Sequence, residues 1–367
     1  MKKGISAKQL TYSAGLFIIA SNLLTKSLYA YTKNESWIAV VIATAVSVVL
    51  VSVYGKLVES YPGLSLFGIN DAVFGIAGGK FISAVYLFFF FSLAVLNTRD
   101  VGSFVSSYVL PSTPLNLIYS AFLFICIYAV KKGAVKMTQY STLILVIYLT
   151  LLIFLTCLLI PKIEPQNLQP VFMIPAKYTL MSAHLVTMLP YAEIFVFLMM
   201  AGHFRKPETT GKALRRGLLI GAAVIFFLVV RDIAILGGYT LYTTNPTFNT
   251  IRLIDVGDIL TRLEIINSVL LITLLFFKIS ILLYAVTAGV GQLFNIRESK
   301  SFSLIIGVLT VIGANVFFIS TGEHQLWFEA APTYSAFFLF VLPLLTLIIS
   351  LIRKSAAGSP EEKLRQQ

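Results

Sequence analysis

Charge is scarce in this chain. Asp, Glu, Lys and Arg make up 12% of its 367 residues, about half the ~25% of an ordinary soluble domain, while 57% are hydrophobic. That balance excludes a water-soluble globular fold. Only two cysteines occur, Cys126 and Cys157, each inside an apolar run, and only three histidines. With no CxxC spacing and no neighbouring His, a structural metal site and a disulfide framework are both excluded. Phosphate loops and paired nucleophile and base residues are also missing, so neither an enzyme nor a cofactor is expected. Apolar runs without the two-residue alternation of lipid-facing strands exclude an outer-membrane barrel.

What the chain has is long apolar stretches, each near the roughly 20 residues that cross a 30 Å hydrocarbon core as a helix. Ten are expected: Leu10 to Ala30, Trp37 to Leu57, Phe81 to Val101, Leu115 to Val130 and Tyr140 to Ile160. Leu180 to Ala201, Gly217 to Leu236, Asn267 to Gly291, Phe302 to Ser320 and Tyr334 to Ile352 complete the set. The fold class read from these runs is an all-α integral membrane protein with one ten-helix domain over 1–353. A polar tail follows at 354–367, whose composition reads as disordered. No small-residue cleavage pattern precedes Lys26, so the first run is expected to be a retained helix.

The net charge of +12 does not point to nucleic acid, because the cations sit between apolar runs rather than on one folded patch. They concentrate in alternate loops. The sixth loop alone holds Arg205, Lys206, Lys212, Arg215 and Arg216, and the positive-inside rule then places both termini in the cytoplasm. Trp37, Trp327, Tyr29 and Tyr31 fall at outer span edges, as an aromatic belt would. Arg99 with Asp100 and Arg231 with Asp232 also fall at outer ends and read as interfacial anchors.

Polar residues inside spans are more informative, because they persist in hydrocarbon only when paired, buried in protein or facing a cavity. Ala20, Ser21 and Asn22 interrupt the first span near its middle, either as a broken helix or as glue between neighbouring helices. In the sixth span Pro190 removes a backbone donor, and Tyr191 and Glu193 follow. Lys278 sits mid-span in the eighth run, and Glu193 is its natural partner. That pair reads equally as a structural ion pair or as part of a site. Tyr86 in the third span offers a ring and a hydroxyl at similar depth. His184 and Thr187 read as packing groups. The candidate ligand-binding set is therefore Ser21, Asn22, Tyr86, Pro190, Tyr191, Glu193 and Lys278.

Breaks in spans one and six, five spans apart, match transporters built as a five-plus-five inverted repeat. The approximate repeats are 9–160 and 176–353. Half-helix ends at such breaks present partial charges suited to the carboxylate and ammonium of an amino acid.

Three segments carry a family resemblance: ISAKQL opening the first span, ESYPGLSL after the second with its Tyr61, Pro62, Gly63 turn, and RLEIINSVLLITLLFFKISILLYA in the eighth, including Arg262 and Glu264. The chain resembles the spore germinant receptor B subunit, from about Ile5 to Arg353, within the amino acid, polyamine and organocation transporter superfamily. That resemblance implies a small-nutrient ligand, A and C partner subunits, and the inner membrane of a bacterial spore. One departure is Ala20, Ser21 and Asn22 where superfamily transporters tend to have glycines. Three functions stay open on this reading: a nutrient sensor signalling to partners, a proton- or ion-driven amino acid transporter, and an ion-conducting or scaffolding subunit.

Overall fold

The computed structural model describes residues 4–22, 25–254, 263–317 and 321–356. Arg262 and the tail beyond 356 lie outside the described residues, as does the Lys26 side chain. Among the described residues the fold is helical throughout, the sole β pairing being an isolated parallel bridge between Ile5 and Phe204.

The elements run α1 Ala7–Ile19, α2 Thr25–Thr32, α3 Ser36–Ser60, α4 Leu66–Tyr108, α5 Leu115–Lys132, α6 Ala134–Leu159 and α7 Ala176–Val186. A π-helical turn, Thr187–Tyr191, and a 3₁₀ stretch, Ala192–His203, continue α7. There follow α8 Thr210–Leu236, α9 Pro246–Arg252, α10 Glu264–Leu293, α11 Ser303–Val316, α12 Thr321–Ala336 and α13 Leu342–Ala356. Nine described helical stretches are long and apolar enough to cross a bilayer. The first of them, Ser27–Ser60, takes in most of α2, with the thirteen-residue α1 before it, and the stretch Ala176–His203 is interrupted at Leu189.

Local chemistry explains the boundaries. Ser6 and Gln9 form a reciprocal capping box at the start of α1, which fixes where that helix begins. Gly75 adopts φ 78° and ψ 171° inside α4, a conformation that glycine reaches without a Cβ clash, so the helix is broken there into two parts. The expected third span, Phe81 to Val101, lies within the second part of α4, which is longer at both ends. The chain turns back at Gly75, which brings Lys80 Nζ within 3.9 Å of Asp71 and Asn70 within 3.1 Å of Ser83, while Lys80 also donates to the Gln292 carbonyl at 2.7 Å and the second part of α4 continues to Tyr108. The fifth span likewise starts at Ala134 rather than Tyr140, just after Gly133 at φ 88°.

Helix α1 packs on α8 through small residues. A Cβ on Gly217 would lie 2.6 Å from the Ala14 Cβ, and one on Gly221 would lie 2.6 Å from the Ile18 Cβ. Thr11 Oγ1 adds a bond to the Ala213 carbonyl at 3.1 Å. Such close backbone approach is how helices associate where lipid supplies no hydrophobic drive. It holds the first half-span against a continuous helix while its other end stops in mid-membrane.

Candidate functional site

Helix α1 ends at Ile19, where Ala20 caps the last turn and Ser21 N–H still reaches the Ile18 carbonyl at 3.0 Å. In the sixth span the interruption lies at Leu189, whose φ −132° and ψ 105° are extended, and the chain restarts as the Ala192–His203 stretch. Pro190 follows directly and cannot donate to the preceding turn, which is the reason the helix fails there.

The two breaks and the middle of α10 meet at one point. Lys278 Nζ lies 2.6 Å from Glu193 Oε2 and donates to Ser21 Oγ at 2.5 Å. It also stands 5.0 Å over the Phe17 ring. Glu193 and Lys278 are only 2% and 1% exposed, so each charge depends on the other for compensation. Helix ends reinforce the pair. Glu193 is in the first turn of its segment, where partial positive charge favours a carboxylate, and the ammonium faces the carbonyl end of α1.

Next to this pair is a cavity of about 30 Å³ lined by Ala20, Ser21, Leu189, Glu193, Lys278 and Asp100, with Ser92, Asn97, Trp327, Tyr334 and Ser335 on its other walls. It has room for two or three waters, given the roughly 10–15 Å³ each needs. The state described is therefore closed around the ion pair. Among the described residues no cluster of three His, Cys, Asp or Glu side chains is placed to hold a metal.

Ser21, Glu193 and Lys278 thus come together as the sequence pattern suggests. Asn22 points elsewhere. Its Oδ1 is 3.4 Å from Thr247 Oγ1, which also donates to Asp232 Oδ2 at 2.5 Å. Asp232 in turn pairs with Arg231 at 2.7 Å, and Arg231 reaches Thr156 at 3.4 Å. At 3% and 0% exposed, Arg231 and Asp232 are not interfacial anchors. The Pro165–Leu168 turn and α9 cover them, the Glu164 N–H and Asn167 Nδ2 both bonding to the Ala234 carbonyl.

Tyr86, Pro190 and Tyr191 do not line the cavity. Tyr86 is fully buried among rings instead, 5.2 Å from Phe195 and 6.0 Å from Phe90, and Tyr191 is equally buried. Thr187 bonds back to the Ala183 carbonyl at 2.7 Å, a packing role as expected.

Asp100 and Trp327 are the cavity residues that hydropathy misplaces. Because α4 continues two turns past Asp100, that carboxyl is inside the bundle rather than at a span end, while Arg99 turns away to the Ala314 carbonyl at 2.9 Å. Trp327 lines the cavity and stands edge-on to Tyr334 at 5.3 Å. Trp37, by contrast, packs on Phe226 at 6.5 Å. The signal that could have found Asp100 is its helical spacing of three and eight residues from Asn97 and Ser92, a polar stripe in an apolar helix.

Solved structures that superpose on this fold include transporters. Mhp1, a nucleobase-cation-symport-1 family transporter in a closed conformation, superposes with TM-score 0.73 at 13% identity, over 94% of this chain and 78% of that one. A sodium-coupled sialic acid symporter gives 0.60 at 12% identity, over 90% and 79%. These likenesses establish the fold. Sequence relatives are more specific: spore germination protein KB of Bacillus subtilis (strain 168) is 26% identical over 359 residues, covering 96% of each chain. Spore germination protein YndE of the same organism is 26% identical over 364 residues, covering 95% of this chain and 97% of its own. The family model for spore germination proteins matches residues 4–321, so this chain, a transporter fold closed around a buried ion pair, belongs to the spore germination protein family.

Proposed function

We propose that the chain is the membrane subunit of a nutrient-germinant receptor, which binds an amino acid between the two broken spans and passes the change to A and C partner subunits in the spore inner membrane. Both termini are then cytoplasmic, and segments 9–160 and 176–353 are the two inverted halves.

The observation that carries this reading is the contact of Ser21, Glu193 and Lys278 beside a closed cavity. A zwitterion is the ligand that such a pair accommodates at least cost. Its carboxylate replaces Glu193 at the Lys278 ammonium, and its ammonium replaces Lys278 at the Glu193 carboxylate. One buried ion pair becomes two, and no charge is left without a partner. A neutral sugar offers no such exchange. The cavity must widen to admit the ligand, so binding selects a more open arrangement of the bundle, and that difference is what partners would read.

Thermal stability of the detergent-purified chain against a panel of amino acids, sugars and nucleosides tests this, because a ligand that binds only the folded state raises apparent stability. A rise with one amino acid that disappears in Glu193→Ala is expected. Equal shifts with uncharged nucleosides would sink the zwitterion assignment.

A second reading, a proton- or ion-coupled amino acid transporter with Glu193 as the proton carrier, draws support from the symporter fold. Gradient-driven uptake of the same amino acid into liposomes separates the two: accumulation favours transport, and binding without accumulation favours the sensor.

A further inference from the structure

At the membrane face opposite the α9 side, the first turns of α1 and α8 stand side by side, tied by the Ile5–Phe204 bridge and by Arg205 Nε donating to the Gly4 carbonyl at 2.8 Å. Between them runs a groove of about 680 Å³, lined by Lys8 and Tyr12 from α1 and by Lys212, Arg216, Leu219 and Ile220 from α8. The three cations are exposed. Their spacing follows helix geometry: Lys212 and Arg216 are one turn apart on α8, and Leu219 and Ile220 lie one turn deeper on the same side.

Groove chemistry therefore changes with depth. Its mouth carries three positive charges, and its deeper wall is apolar, Leu219 being 49% exposed where the span meets hydrocarbon. No carboxylate belongs to the lining. Of the acidic residues on neighbouring elements, Glu59 accepts from the Gly211 N–H at 3.3 Å, and Glu208 precedes α8 outside the groove.

We propose that this groove is a binding site for an anionic phospholipid, with Lys8, Lys212 and Arg216 around the phosphate and an acyl chain along Tyr12, Leu219 and Ile220. An acidic peptide would satisfy the cations but not an apolar wall that faces the hydrocarbon. A lipid satisfies both. Basic pockets between spans at a headgroup level are the recognised chemistry for such lipids. The bound lipid bridges α1 and α8, so it stabilises their packed pair in addition to the close contacts at Gly217 and Gly221.

The test is thermal unfolding of the full-length chain in neutral detergent with added phosphatidylglycerol, phosphatidylcholine or inorganic phosphate. Phosphatidylglycerol is expected to raise the midpoint by several degrees, on the order of 5 °C near saturation, and phosphatidylcholine and inorganic phosphate are not. In the variant Lys8→Gln/Lys212→Gln/Arg216→Gln the affinity for phosphatidylglycerol should fall on the order of a hundredfold, at roughly fivefold per cation. A control, Lys131→Gln/Lys132→Gln/Lys136→Gln, removes three other exposed cations and should respond as wild type. If the groove variant unfolds before it can be measured, Lys212→Gln alone should lower the affinity about fivefold. Equal losses in both triple variants, an undiminished response in the groove variants, or a matching shift with inorganic phosphate would overturn the proposal.

Discussion

Two buried ion pairs among the described residues are built differently. Lys278 and Glu193 come from two separate spans, with Ser21 added by a third. Arg231 and Asp232 are neighbours on one helix, held by Thr247 and Thr156. The first break serves both, since Ser21 faces the cavity pair and Asn22 faces the other. A pair joined across spans separates when the spans move, whereas a pair on one helix moves as a unit. The same chemistry thus makes a changeable contact at the cavity and a fixed one near α9.

The largest effect should come from Lys278→Met. It leaves the Glu193 carboxylate buried without its cation, a loss of about 3–5 kcal/mol, readable by chemical unfolding in detergent. Glu193→Gln/Lys278→Met should recover most of that loss, and a double variant as unstable as the sum of the singles would remove the pair from the account.

Asp232→Asn is expected to cost about 2–3 kcal/mol, as charge-assisted bonds to Arg231 and Thr247 weaken. The contrast with the cavity pair is sharpest in ligand response. Asp232→Asn should keep the amino acid shift that Lys278→Met loses, and a folded Asp232→Asn protein blind to the ligand would break the comparison. Gly221→Ala forces a Cβ against Ile18 and should cost about 1–3 kcal/mol through overpacking, measured the same way. Smallest is Ser21→Ala, about 0.5–1.5 kcal/mol, with weakened ligand affinity. Thr247→Val should match it in stability while leaving affinity intact.

Hydropathy made the membrane-crossing helices legible, and the cost of polar groups in hydrocarbon picked out Ser21, Glu193 and Lys278. Both arguments depend only on the position of a residue along its own span. Asp100 and Arg231 with Asp232 escaped because adjacent opposite charges near a span end look solvated. Their placement depends on what surrounds them: α4 running on to Tyr108 in one case, and α9 with the Pro165–Leu168 turn in the other. Tyr86 shows the converse, since depth alone does not tell an aromatic wall from a ligand contact.

The 3₁₀ stretch after the second break, Ala192–His203, has a consequence for reach. At about 2.0 Å per residue, twelve residues advance roughly 24 Å, as far as about sixteen would in an α-helix. A span interrupted at its middle still crosses the bilayer. With three residues per turn the side chains also stand in three straight rows, one of them Glu193, Val196, Met199 and Gly202. Every side chain from Ala192 to Ala201 is buried, so that part of the half-span is a three-sided rod enclosed by protein on each side, and only Gly202 and His203 at its end are exposed.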